Sequence, residues 1–303
     1  MTLPDHIRVL ERGWLSSNNI VFLDADCPTV VDTGYGTHAD ETLRLLQDAL
    51  QGRTLGRIVN THLHSDHAGG NALLQAHYGC QTVIPPGLQD AVTAWDQARL
   101  SYASTGQHCP RFQYDAVLQL GQTLELGGDD WTVLGAPGHD NDMVMLWCER
   151  WGILISADAL WQNGFGVIFP EIVGESGFAE QQATLDLIGQ LAPRLVIPGH
   201  GAPFTEVSAA LEAAQSRIKW LAADPKRNAD NALKALLAFK LLAAQRMTVG
   251  DIADLFRQSA ITHQVLRAYY PVDPEAMAHL AAEQMVRLGV AVRDGAVLTV
   301  KAP

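Results

Sequence analysis

The stretch that decides the reading of this chain is His62-Leu-His64-Ser-Asp66-His67, which directly follows the short apolar run Gly56-Arg-Ile-Val-Asn-Thr61. Four metal-binding side chains fall within six residues. In an extended segment side chains alternate, so His62 and His64 point the same way and can share one cation. The chain then turns into a helix around Gly69-Gly70-Asn71, which swings Asp66 and His67 toward a second position nearby. Imidazole with a minority of carboxylate suits zinc, admits iron or manganese, and disfavours calcium and magnesium, which take oxygen ligands.

Three further groups extend the pattern: Pro137-Gly138-His139, Ser156-Ala157-Asp158 and Pro198-Gly199-His200. Each follows a strand-like run, Trp131 to Ala136, Gly152 to Ser156 and Arg194 to Ile197. A His or Asp at a strand end beside Gly or Pro can approach a ligand closely, because Gly tolerates unusual backbone and Pro stiffens the turn. Taken singly, Gly-His reads as a solvated turn and Ala-Asp as a helix cap.

In order and spacing the set resembles the metallo-beta-lactamase fold superfamily, whose signature of HxHxDH, then His, Asp and His, is complete here as His62, His64, Asp66, His67, His139, Asp158 and His200. The segment Val30-Val31-Asp32-Thr33-Gly34 is similar to the family's early strand-end Asp. The resemblance spans residues 5 to 205. It implies an α/β four-layer αββα sandwich, where the alternation of short strands and helices alone would equally allow a doubly wound sheet. It also implies a first metal on His62, His64 and His139, a second on Asp66, His67 and His200, and Asp158 as the bridge. Two zinc ions per chain are expected, sharing a hydroxide that attacks the substrate. Asp66 and Asp158 are thus the catalytic candidates, Asp66 also orienting the nucleophile, and Asp32 is expected to hold a loop or a ligand histidine from behind. Trp161 and Phe165 are candidate pocket walls, from the aromatic segment Trp161 to Phe169.

Asp158 also separates branches of the family. Beta-lactamases usually carry Cys or Ser near that position, while relatives resembling glyoxalase II, lactonases and nucleases carry the bridging Asp. His64 departs from the Glu of the diiron flavoprotein branch. The leading expectation is therefore a dinuclear zinc hydrolase of a small ester, thioester or lactone, although the basic glutathione-binding cluster of a glyoxalase II is not recognisable. The alternatives are a nuclease or phosphodiesterase, a mononuclear iron persulfide dioxygenase, and a non-catalytic sensor that retains the metal fold.

Composition narrows these. The net charge is −12 over 303 residues. Residues 1 to 203 hold 9 Lys and Arg against 23 Asp and Glu, a balance of −14, and residues 204 to 303 hold 12 against 10, a balance of +2. So acidic a catalytic part opposes attraction of a polyanion, which makes nucleic acid an improbable partner and a small molecule the expected one. No run approaches the ~18 apolar residues of a membrane span, and Met1 to Leu10 lacks the pattern of a secretory signal, so cytoplasm is the default. Cys27, Cys80, Cys109 and Cys148 show no CxxC spacing and read as reduced thiols, Cys148 as a buried small hydrophobe.

Along the chain, Ile20 to Leu23 and Thr29 to Asp32 read as strands around the turn Asp24 to Pro28, and Ala39 to Leu50 as a helix. Residues 87 to 117 interrupt the alternation with a helix expected over Leu88 to Tyr102 and an irregular segment, the position of a lid, a substrate wall or a homodimer contact. The expected organisation is a catalytic domain over 1–222 and a mostly helical, winged-helix-like domain over 223–303. In the latter, helices are expected over Ala229 to Gln245, from Thr248 (with Thr248 or Asp251 as cap), and over Glu275 to Leu288, followed by a hairpin around Asp294-Gly295. That tail lacks the basic stripe of a DNA reader, and packing or dimerisation is its expected role.

Overall fold

The computed structural model describes residues 3–23 and 26–301. The first half comprises β1 (Ile7–Leu10), β2 (Asn19–Phe22), β3 (Thr29–Val31), α1 (Ala39–Leu50), β4 (Arg57–Val59), the one-turn α2 (Ser65–Ala68), α3 (Asn71–Tyr78), β5 (Gln81–Ile84), α4 (Gln89–Ala94), α5 (Tyr102–Thr105) and β6 (Ala116–Val117). The second half runs through β7 (Thr123–Leu126), β8 (Asp129–Gly135), β9 (Val144–Cys148), β10 (Ile153–Ala157), α6 (Phe169–Val173), α7 (Phe178–Leu191), β11 (Leu195–Pro198) and α8 (Val207–Ala222). The C-terminal stretch adds α9 (Lys226–Ala244), β12 (Arg246–Thr248), α10 (Val249–Gln258), α11 (Ala260–Tyr269), α12 (Pro274–Arg287), β13 (Ala291–Asp294) and β14 (Val297–Val300).

Two sheets carry the catalytic half. One has the order β1-β2-β3-β4-β5-β6 and the other β11-β10-β9-β8-β7. Strands buried on both faces read as near-continuous apolar runs, as in Ile153–Ala157, where every residue is buried and only Ser156 is polar. Val31, Val59, Val133, Leu146, Ile155 and Ile197 fill the space between the sheets, around Trp131, whose ring meets Phe22 edge-on at 5.2 Å. Leu46, Ala49 and Leu50 of α1 and Leu74 of α3 cover the outer face of the first sheet. Helices α7 and α8 cover the second with Leu185, Ile188, Ala214 and Ile218. The result is the four-layer αββα arrangement.

Helix α1 matches the expected Ala39–Leu50 and ends at Gln51 in the left-handed conformation. The expected helix over Leu88 to Tyr102 does not form as one piece. It stops at Trp95, φ 57°, because the ring turns inward to meet Phe112 edge-on at 5.4 Å and Tyr102 at 5.8 Å. A short α5 follows, and the interruption is a packed wall: the Tyr102 hydroxyl donates to Leu63 O at 2.8 Å, and Ser65 Oγ donates to Gln107 Oε1 at 2.6 Å. Of the turn Asp24 to Pro28, Asp24 and Ala25 lie outside the described residues.

The C-terminal helices share a core of their own, built on Leu233, Leu237 and Leu241 of α9, Ile252 and Phe256 of α10, and Ala278 and Met285 of α12. Thr248 and Asp251 close a reciprocal capping box at the start of α10, satisfying two backbone donors that a helix start leaves open. The hairpin β13–β14 turns at Asp294-Gly295-Ala296, and β12 joins it to give the order β12-β14-β13. Helix α11 was not anticipated; Ser259 caps it, and the Ser259 hydroxyl reaches back to Ser104 O at 2.7 Å. Lys240 Nζ likewise donates to Gly106 O at 2.9 Å, so the wall over 87–117 stands between the metal loop and the tail. Among the described residues no helix is long and apolar enough to cross a membrane.

Because Leu241 is fully buried in the C-terminal core, Leu241→Ala is expected to lower stability by about 2–5 kcal/mol. Urea unfolding followed by circular dichroism measures it; an unchanged midpoint would contradict the packing of α9.

Candidate metal centre

All seven donors come to one edge of the two facing sheets. His62 and His64 follow β4, Asp66 and His67 sit on α2, and His139, Asp158 and His200 leave the ends of β8, β10 and β11. The helical turn begins at Ser65, earlier than expected at Gly69-Gly70, and this early turn presents Asp66 and His67 inward. Three groups of donor atoms each lie within 4.8 Å of one another: His62, His64 and His139; Asp66, His67 and His200; and His62, His67 and Asp158.

Asp158 occupies the middle. Its Oδ2 is 3.4 Å from His139 Nε2, 3.6 Å from His67 Nε2 and 3.9 Å from His200 Nε2. Donors bonded at about 2.0–2.1 Å to one tetrahedral cation stand roughly 3.3 Å apart, so these spacings suit shared cations. Three buried imidazole nitrogens of the site, His62 Nε2, His67 Nε2 and His200 Nδ1, have no hydrogen-bond partner among the described residues. Such orphans are rare and need a reason; a cation supplies one. His139 Nε2 and His64 Nδ1 face each other at 2.8 Å, an arrangement that needs either a shared proton or a cation beside both.

Groups behind the donors fix their orientation. Asp32, buried at the end of β3 with φ 58°, accepts from Thr61 N at 2.9 Å, from Thr61 Oγ1 at 2.7 Å and from His67 Nδ1 at 2.7 Å. It therefore holds both the metal loop and the His67 ring, leaving Nε2 to face the site. His139 Nδ1 donates to Val167 O at 2.6 Å, which directs its Nε2 inward. Trp161 Nε1 donates to Asp158 Oδ1 at 3.1 Å. The close approach of Gly199 leaves room for Asp158 and for His67 Cε1, which a Cβ there would meet at 3.0 Å.

Electrostatics follow from burial. Desolvation pushes His64 and His139 down to about 4, and His62 well below its ordinary value, so these three rings are neutral and ready to donate lone pairs. His67 behaves oppositely: desolvation would lower it, but the carboxylates of Asp32, Asp158 and Asp66 outweigh that and raise it well above its ordinary value. For Asp158 burial would raise the pKa, and His67 and His200 override it, holding the carboxyl well below the usual range. A buried cluster that retains its carboxylates ionised demands positive charge.

Above the donors lies a cavity of ≈ 580 Å³ walled by Trp14, Trp161, Phe169, Thr105, Gln107 and, from the C-terminal helices, Phe239 among others. Trp14 stacks on His200 with ring centroids 5.4 Å apart. Phe165 is 1% exposed and packs in the core under α7 and α8; it borders an adjoining hollow but does not line this cavity. The neighbouring Phe169 stands there instead, edge-on to His64 at 5.5 Å. Sequence reasoning also missed Asp140, whose Oδ2 is 3.4 Å from His64 Nε2; its place directly after His139 was the available signal. Trp14 and Phe239 carried none, being brought in from distant parts of the chain.

Residues 12–200 match the family model of the metallo-beta-lactamase superfamily. The chain belongs to that superfamily. Similar proteins include a probable metallo-hydrolase of Bacillus subtilis, 26% identical over 283 residues, covering 80% of this chain and 85% of that one. A hydroxyacylglutathione hydrolase of Methylococcus capsulatus is 32% identical over 131 residues, 43% of this chain and 41% of its own length, so the likeness spans less than half of that relative. Among solved structures, a metallo-beta-lactamase family protein of Thermus thermophilus aligns over 99% of this chain and 100% of its own at a TM-score of 0.59 and 19% identity. Its whole length, C-terminal helices included, shares the fold.

Removing the carboxylate charge behind His67 should loosen metal binding, since such supporting partners are worth about 10–100-fold in affinity. Asp32→Asn is expected to weaken retention of a divalent cation by that factor in competition with a chelator, and wild-type retention would show that Asp32 has no part in it.

Proposed function

We propose that this chain, a metal-dependent hydrolase of its superfamily, cleaves a small ester, thioester or lactone with two zinc ions. His62, His64 and His139 would hold one, Asp66, His67 and His200 the other, with Asp158 between them. The observation that carries the reading is the central Asp158 carboxylate, within 3.4 to 3.9 Å of three imidazole nitrogens that belong to both groups. Five imidazoles against two carboxylates favour zinc over calcium or magnesium.

Bound there, the metal pair would supply a water acidic enough to attack near neutral pH and polarise the substrate carbonyl. The chain's own groups do the rest. Asp32, Val167 O and Trp161 fix the rings and the carboxylate that face the reacting atoms. Asp66 Oδ2, 3.2 Å from His200 Nε2, can orient the attacking water and accept its proton. The aromatic walls and the C-terminal helix α9 border the cavity, and their apolar surface strengthens polar interactions beside it. We take 1–222 as the catalytic domain and 223–303 as a domain that completes this cavity, with the join between α8 and α9.

The substrate class is supported by the −14 balance over residues 1 to 203 and by the apolar walls, which together suit a small, partly apolar guest. The names of the similar hydroxyacylglutathione hydrolases add support for a thioester. In a screen of 4-nitrophenyl esters, acyl thioesters and lactones beside labelled RNA and single-stranded DNA at low and moderate salt, carbonyl hydrolysis is expected. Efficient strand cleavage without any carbonyl turnover would overturn the choice. On the substrate so found, His139→Ala and Asp158→Cys should each retain the fold but lose metal and at least about 100-fold in rate; turnover at the wild-type rate would remove that residue from the site.

A further inference from the structure

Beside the metal cavity a second hollow of ≈ 500 Å³ opens, sharing with it Trp14, Trp161, Val167, His200, Asn231 and Ala235. No carboxylate lines it; its charged residues are Arg12 and Arg217, beside His200. Arg12 is already engaged, donating to Asn19 Oδ1 at 2.8 Å, Thr42 Oγ1 at 2.8 Å and Glu41 Oε2 at 2.7 Å. Arg217 is not. Its guanidinium lies 5.0 Å above the Phe165 ring, and no described residue accepts any of its N–H groups.

An arginine has five donors in a rigid fork that matches carboxylate and phosphate. Leaving such a group partly buried with no acceptor is unfavourable, and burial here pushes its pKa down. The surrounding chain nevertheless makes room for it. Position 164 is glycine, φ 128°, and a Cβ there would come within 2.5 Å of the guanidinium Nη1. The same loop is closed by Trp161 N donating to Gly164 O at 2.6 Å, and its Trp161 side chain donates to Asp158. One short loop thus borders both the cationic seat and the metal centre, with the Gln162 and Asn163 side chains also lining the hollow.

We propose that Arg217 is the seat of an anionic group on the substrate, a carboxylate or a phosphate, held by the guanidinium fork while the scissile carbonyl lies over the donors of the metal centre. This rests on the hydrolase reading and narrows it: the substrate is a carbonyl compound with one anionic end. The net acidic balance of residues 1 to 203 disfavours a guest with several negative charges, so one guanidinium without a carboxylate partner suits a guest with a single anionic end.

The test pairs binding with turnover, on the metal-loaded full chain. Isothermal titration with glutarate and, separately, inorganic phosphate compares wild type, Arg217→Met and Lys219→Met, the last an exposed lysine on the same helix. At least one anion should bind about tenfold more weakly to Arg217→Met and unchanged to Lys219→Met, and which anion responds names the group. In parallel, the KM of mono-4-nitrophenyl glutarate should rise about tenfold in Arg217→Met with kcat little changed, while 4-nitrophenyl pentanoate, its uncharged counterpart, keeps its KM. Equal anion binding by wild type and Arg217→Met overturns the proposal, as does an equal rise in KM for both esters. Arg217-dependent binding with neither ester hydrolysed supports the seat and counts against the hydrolase reading instead. Should circular dichroism show Arg217→Met unfolded, Arg217→Gln makes the same comparison.

Discussion

Three carboxylates, Asp32, Asp66 and Asp158, are buried within a single cluster of five imidazoles, and the rest of the structure is arranged around holding that charge out of water. Asp32 is satisfied by the chain itself, through three donors from Thr61 and His67. Asp66 and Asp158 face His67, whose pKa they help to raise, and His200, with the neutral His139 also beside Asp158. Isolated buried carboxylates are costly; the raised His67 offsets part of this charge, and the donor groups around Asp66 and Asp158 are placed to hold cations that would offset the rest. The two sheets supply rigid strand ends on which such a receptacle can be built to within fractions of an ångström.

How the backbone reaches the site follows from the same need. Asp32 and Ala157 both leave their strands with positive φ, 58° and 47°, a conformation that costs a residue with a Cβ about 1–2 kcal/mol. At Ala157 the register between β10 and β11 also shifts, and Gly199 N is drawn to Ala157 O at 2.7 Å. The strain sits where Asp158 is aimed, in the pattern by which local backbone cost is tolerated at functional positions.

Much of this was legible in the sequence because it is local. His62, His64, Asp66 and His67 announce themselves by spacing, and His139, Asp158 and His200 by the Gly or Ala beside them at the end of apolar runs. The capping box at Thr248 and the Asp294-Gly295 hairpin are likewise set by residues that touch in sequence. What escaped depends on partners far along the chain. The helix expected to reach Tyr102 ends at Trp95 because Phe112 and Tyr102 receive that ring. Phe165 and Phe169 look alike in sequence, yet the fold buries one under Arg217 and turns the other toward His64. Trp14 and Phe239 join the cavities only when the N-terminal segment and the tail fold over the sheets, and Arg217 only when α8 packs beside the Trp161–Gly164 loop.

We propose that the chain holds two cations, one on either side of Asp158. A crystal of the zinc-reconstituted protein, with anomalous differences recorded above and below the zinc absorption edge, tests it most directly. Two peaks about 3.5–4 Å apart, one among His62, His64 and His139 and one among Asp66, His67 and His200, with Asp158 Oδ2 between them, are the predicted result. A single peak at full zinc saturation, or peaks away from these seven side chains, would contradict the account.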